Sequence, residues 1–195
     1  AVYEAVSGWD TTGPPLVINL SIGWEPRFHS TDAPFEAVEE ALAWARCQGA
    51  LIIAAAGNAT GRATSDLGPM YPGGYEQNAT PAGCAPGAPG GVGPLVFSVG
   101  GLDGGDEPIV NSRPGGRPAL AAPAALFTPD ERNAAPWATS DAAGPLLTGT
   151  SIAAAVTSAI AATVWYYAPD LTADEVMDIV YQSGEDLGVP SDYCL

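Results

Sequence analysis

The chain has 195 residues, with 24 Gly and 19 Pro, and 47% of it is hydrophobic. That is too apolar for disorder and long enough for one domain with a real core. Six basic residues, all Arg, stand against 22 acidic ones, for a net charge of −16; so acidic a surface repels phosphate backbones and anionic lipid, which excludes nucleic acid and membrane surfaces as partners.

In chain order, residues 1–7 read as the end of a helix and 8–15 as a turn. Residues 16–21 are a short apolar run, a buried strand. After a loop, residues 35–48 are helical: Phe35, Val38, Ala41, Leu42 and Ala45 share one face, and Gly49 ends the helix. Residues 51–56 form a second buried strand. Strand, helix and strand with short connections make a βαβ unit, hence a parallel sheet with a right-handed crossover.

Residues 57–93 read as a long loop dense in Gly, Pro, Asn and Ala, a length that points to function or partial order. Residues 95–100 are a third strand, 103–116 are turns around a short strand at 108–112, and 119–127 hold another candidate strand. A long helix is expected from Ser151 to about Tyr167, stopped by Pro169. It is nearly uncharged, but its Ala, Ser and Thr are too weakly hydrophobic for a membrane span; a helix apolar on all sides suits the centre of a soluble α/β domain. Thr172-Ala-Asp-Glu175 is a capping-box pattern opening a last helix with Val176, Ile179 and Val180 inward.

Cysteine gives little. Three Cys permit at most one internal disulfide, and the pair is open. Cys84 and Cys194 fall in loop-like contexts, whereas Cys47 on a helix reads as a plain buried thiol. With one His and no Cys-x-x-Cys pair, no metal site is expected.

Three motifs carry chemistry: Val17-Ile-Asn-Leu-Ser-Ile-Gly23, Ala54-Ala-Ala-Gly-Asn58 and Gly149-Thr-Ser151. Alone, Gly-Thr-Ser before an Ala-rich helix is also a common N-cap, and Asn after a strand a common turn residue. In this order and on these elements, the three together resemble the motifs of the subtilisin-like serine peptidases, the S8 family. Phe97-Ser-Val-Gly-Gly-Leu-Asp103 and Asp170-Leu-Thr-Ala-Asp-Glu-Val extend the resemblance over essentially the whole chain.

The resemblance implies an α/β, three-layer subtilisin-like fold: a mostly parallel sheet with helices on both faces, its N-terminal part absent, with residues 1–195 forming a partial catalytic domain. It implies a serine endopeptidase working through an acyl-enzyme. Ser151 is then the nucleophile and Asn58 the oxyanion-hole donor. Ser21, Ile22 and Gly23 pair with an extended polypeptide substrate, and Ala55, Ala56 and Gly57 line the pocket for the side chain before the scissile bond. The floor of that pocket falls to residues 66–84. No cofactor is required; structural calcium occurs in the family, but no carboxylate-dense loop here matches a site. The implied location is extracellular or in the cell envelope of a bacterium or archaeon.

The chain departs from the pattern where the base belongs. The family's Asp-x-Gly and His-Gly-Thr motifs precede the Val-Ile-Asn-Leu-Ser strand, which here starts within the first twenty residues. The Asp and His are therefore expected from an N-terminal segment of the same catalytic domain, in the precursor or as a separate chain. Asp10-Thr-Thr-Gly13 and His29-Ser-Thr31 are too closely spaced, and the strand lies between them, so His29 reads as a solvated loop residue. Ser151-Ile-Ala-Ala-Ala155 also lacks the family's early Pro, which pre-organises the helix without entering the chemistry. The other reading is a catalytically inactive relative that binds extended peptides.

Overall fold

The computed structural model describes residues 1–26, 33–59, 68–77, 84, 93–115, 118–124 and 148–186. Its elements are α1 (Val2–Ser7), β1 (Val17–Leu20), α2 (Ala33–Cys47), β2 (Leu51–Ala55), a 3-10 helix (Gly73–Gln77), β3 (Phe97–Leu102), β4 (Leu120–Pro123), α3 (Thr150–Tyr167) and α4 (Ala173–Ser183). The four strands form one parallel sheet in the order β1-β2-β3-β4.

Alternation along β2 builds the layers. Leu51, Ile53 and Ala55 face a core shared with Ala153, Ala154, Ala161 and Trp165 of α3 and Val176 and Met177 of α4. Ile52 and Ala54 point the other way, into a core with Val6 of α1 and Leu42 and Ala45 of α2. Both faces of β2 are covered, so every residue of the strand is buried, as an apolar strand inside a parallel sheet requires. Helices on both faces of a parallel sheet are the three-layer α/β architecture expected.

The differences from expectation have local causes. The loop after Asn58 contains a 3-10 helix whose Tyr75 is fully buried; one turn is too short to show periodicity. Residues 108–112 make only isolated bridges, Pro108 with Leu102 and Ser112 with Asn58, because β3 already pairs with β2 and β4. Helix α3 buries one face rather than all round: Ile160, Tyr166 and Tyr167 are exposed. In α4 the capping box forms as expected, but Met177 is buried and Ile179 exposed.

Cys47 is not a free thiol. It forms a disulfide with Cys84, tying the end of α2 to the loop 37 residues on. Cys194 lies outside the described residues. Beside Cys47, Arg46 is fully buried. Its guanidinium donates to Ala50 O and Pro94 O at 3.2 Å each and pairs with Asp174 at 2.6 Å, so one cation joins α2, the entry to β3 and the start of α4.

Candidate active site

The site lies at the C-terminal ends of β1 and β2, where ligands gather in open parallel sheets. Ser151 is the second residue of α3, and Gly149 is the N-cap. The first N–H groups of a helix have no acceptor within it, and the helix dipole adds positive potential, so an oxyanion formed at Ser151 would be stabilised there.

Asn58 is held at both ends. Its backbone bridges Ser112, and the next residue, Ala59, donates its N–H to Asn111 O at 2.8 Å. Its side-chain Oδ1 accepts the Thr150 N–H at 3.0 Å. Gly57 N–H donates to Thr150 Oγ1 at 3.0 Å, so the Thr150 hydroxyl proton is left for Asn58 Oδ1 at 3.3 Å. A flipped amide would turn its N–H groups against the fixed Thr150 donor. The network therefore fixes Nδ2 as the outward, donating end. That end passes close to Gly149: a Cβ on residue 149 would lie 3.1 Å from Nδ2, so glycine is the residue that admits the amide.

Ser21 meets Ser151 directly. The Ser151 hydroxyl donates to Ser21 O at 3.2 Å, and the Ser21 hydroxyl donates to Ser151 O at 2.8 Å. Asn19 Nδ2 donates to the Ser21 hydroxyl at 3.0 Å. Ile22 and Gly23 follow β1 as exposed residues, whereas Ala55, Ala56 and Gly57 are buried beside them. The structure thus gathers Ser151, Asn58, Ser21 and Gly57 into one continuous set of contacts.

Two residues of this set were missed in the sequence: Thr150, hidden inside the Gly-Thr-Ser motif, and Met70, whose side chain touches Gly57 and Gly23. Asp10 accepts from Thr12 N and Oγ1 at 2.9 and 2.7 Å, bonds that hold its carboxyl below the usual range and serve its own turn. His29 lies outside the described residues, and among those described no group of His, Cys, Asp and Glu could hold a metal ion.

A second hollow, about 550 Å³, opens at the N-terminal end of β3, between Glu76, Pro94, Phe97, Asp174 and Tyr181. Glu76 accepts the N–H groups of Ser98 at 2.9 Å and Ala119 at 3.2 Å. Burial nonetheless raises its pKa to about 7, while the Ser98, Ala119 and Tyr181 hydrogen bonds pull it down.

A three-layer α/β domain with a serine in the first turn of a buried helix, facing a fixed Asn amide beyond a parallel strand, has the architecture of a serine-peptidase domain. The subtilase family model matches residues 2–193, and the chain belongs to that family. Among solved structures it is similar to the MycP3 protease from the type VII (ESX-3) secretion system, at 28% identity and TM-score 0.55, over 90% of this chain and 48% of that one. MycP1 from Mycobacterium smegmatis matches at 24% identity and TM-score 0.63, over 99% of this chain and 50% of that one. A cold adapted subtilisin-like serine proteinase matches at 20% identity and TM-score 0.62, over 98% and 58% respectively. The chain thus spans about half the length of these structures. No curated protein sequence matches it. Among the described residues no helix is long and apolar enough to cross a membrane.

Proposed function

We propose that these residues form the nucleophile-bearing part of a serine endopeptidase that cleaves extended polypeptides through an acyl-enzyme. Ser151 Oγ attacks the carbonyl carbon, and Asn58 Nδ2 and the Ser151 N–H receive the oxyanion. A His oriented by an Asp, both from a segment outside these 195 residues, takes the hydroxyl proton and returns it to the leaving amine. Water then repeats the cycle on the ester. The observation that carries this reading is the Thr150–Asn58 bond, which leaves one amide N–H₂ pre-aimed beside the helix that bears Ser151. The exposed position of Ile22 and Gly23 at the end of β1 suits β-strand addition by a substrate.

The Cys47–Cys84 disulfide and the secretion-system proteases among the similar structures support a location outside the cytoplasm, in the bacterial envelope or medium. The second reading, a peptide-binding relative without turnover, draws on the Ser151 hydroxyl, which donates to the Ser21 carbonyl at 3.2 Å. A fluorophosphonate probe separates the two. Labelling that needs both Ser151 and the segment supplying Asp and His supports the peptidase. No labelling of the complete protein, with Ser151→Ala as the blank, supports the binding protein.

A further inference from the structure

The Asn58 amide takes its direction from two supports. From the side of α3, the Thr150 N–H holds Oδ1. From the other side, residues 111 and 112 hold the backbone, through the Ser112 bridge and the bond from Ala59 N–H to Asn111 O. This second support is no strand of the sheet. Its side-chain bonds to the approach of α3 are long: Asn111 Nδ2 donates to Thr148 O at 3.5 Å, and Asn111 Oδ1 accepts from the Thr148 hydroxyl at 3.4 Å. A segment with so few firm backbone pairs opens locally unless something else fastens it.

Arg113 fastens it. The side chain is fully buried. Nη1 and Nη2 donate to the two Glu25 carboxylate oxygens at 3.2 and 2.8 Å, and Nε donates to Gly68 O at 2.6 Å. The Gly68 N–H returns the contact, donating to Pro114 O at 2.9 Å. Glu25 follows Trp24, whose backbone exchanges both hydrogen bonds with Tyr71 at 2.8 and 3.0 Å, and Met70 N–H donates to Ala56 O at 3.1 Å. One guanidinium thus joins the segments 23–25, 68–71 and 111–114 around the end of β2, from which Asn58 projects.

We propose that Arg113, oriented by Glu25, is a positioning residue for the oxyanion site, setting where the Asn58 amide stands relative to Ser151. The proposal rests on the reading of Asn58 as the oxyanion donor. A buried ion pair is a weak source of stability, because taking both charges out of water offsets their attraction. What the pair adds is direction: a planar fork fixes a carboxylate and a carbonyl in one plane, which an apolar side chain or a lysine does not. An error of the order of 1 Å in a group that must meet a forming oxyanion is costly in rate and nearly without effect on ground-state binding.

The test uses the complete protein with Arg113→Lys, which keeps a cation beside Glu25 without the fork, and Glu25→Asp, which keeps the anion on a shorter stem. Thermal melts verify folding, and assays run well below each Tm. Each variant is expected to lower kcat roughly tenfold with KM within about twofold. Asn58→Ala alone should cost about a hundred- to a thousandfold. Adding Arg113→Lys to it should cost less than about twofold more, because the group through which Arg113 acts is gone. The Asn58 side-chain amide, followed by heteronuclear NMR and assigned by its loss in Asn58→Ala, should shift or broaden in both variants. If the complete wild-type protein hydrolyses no peptide, the peptidase reading fails, while a displaced amide still supports positioning. A full tenfold loss that persists in the Asn58→Ala background, a lowered Tm with kcat unchanged, a change confined to KM, or an unmoved amide resonance would overturn the Arg113 proposal.

Discussion

The Thr150 N–H donates to Asn58 Oδ1 at 3.0 Å, across 92 residues of chain, and so binds the residue before Ser151, the proposed nucleophile, to the residue proposed to receive the oxyanion. Helix start and strand end are locked by a single backbone donor, which no substitution at position 150 other than proline removes. The Thr150 hydroxyl adds two further bonds, from Gly57 N and to Asn58 Oδ1.

That hydroxyl is a positioning group, and its removal has a distinct signature. Thr150→Val keeps the shape and the N–H but leaves the buried Gly57 N–H without its acceptor. It is expected to lower stability by about 1–3 kcal/mol. It should also lower kcat roughly tenfold through a looser amide, with KM nearly unchanged. Thr150→Ser restores the oxygen and should recover kcat. A uniform loss in both variants, or a change confined to KM, would assign Thr150 to packing alone.

The sequence made the sheet and the helix that bears Ser151 legible because both depend on local pattern. β2 is an uninterrupted apolar run, and a Gly-Thr-Ser triplet heads an Ala-rich helix. What stayed hidden depends on contacts between distant segments. The buried Arg46 sits on a helix whose periodicity places it beside the apolar face, and only Asp174, 128 residues on, explains a cation there. Met70 lies in a stretch of Gly, Pro and Tyr with no period to read; its place emerges only when residues 23 and 57 close on it. The Cys47–Cys84 pair escaped because helical context favoured a buried thiol, and chain proximity says nothing about pairing.

Arg46 carries a stability prediction. Arg46→Met keeps an aliphatic stem of similar length but gives up the guanidinium carbon that lies 5.6 Å over the Phe97 ring centre. It strands the Asp174 carboxylate, which among the described residues then keeps the Gly93 N–H at 3.3 Å. Breaking a buried pair from one side destabilises by about 3–5 kcal/mol. Asp174 is partly exposed, so the lower end applies: a fall in Tm of roughly 6–12 °C for a domain of this size. Arg46→Met with Asp174→Asn should be more stable than Arg46→Met alone, since no charge is left uncompensated. Equal Tm values for the single and double variants in thermal melts would show that the pair's charge is not what holds α2 to α4.

Glu76 predicts a pH dependence of stability of unusual sign for a carboxylate. Its folded pKa of about 7 lies above the reference of 4.5, with burial the leading cause. Tyr181, which hydrogen-bonds it, is itself raised, first by burial and then by the Glu76 charge. Asp174 and Asp178 line the same hollow, with Arg46 compensating Asp174. The folded protein therefore binds the Glu76 proton more tightly than the unfolded chain does. This contribution is fully present below pH 4.5 and is lost as pH rises through about 7, in total on the order of 3 kcal/mol. Glu76→Gln cannot ionise and should flatten that slope. It should also be less stable at every pH, because one of the Ser98 and Ala119 N–H groups would then face an amide N–H₂. Urea midpoints for both proteins between pH 4.5 and 8 measure the difference; parallel curves would assign the slope to other groups.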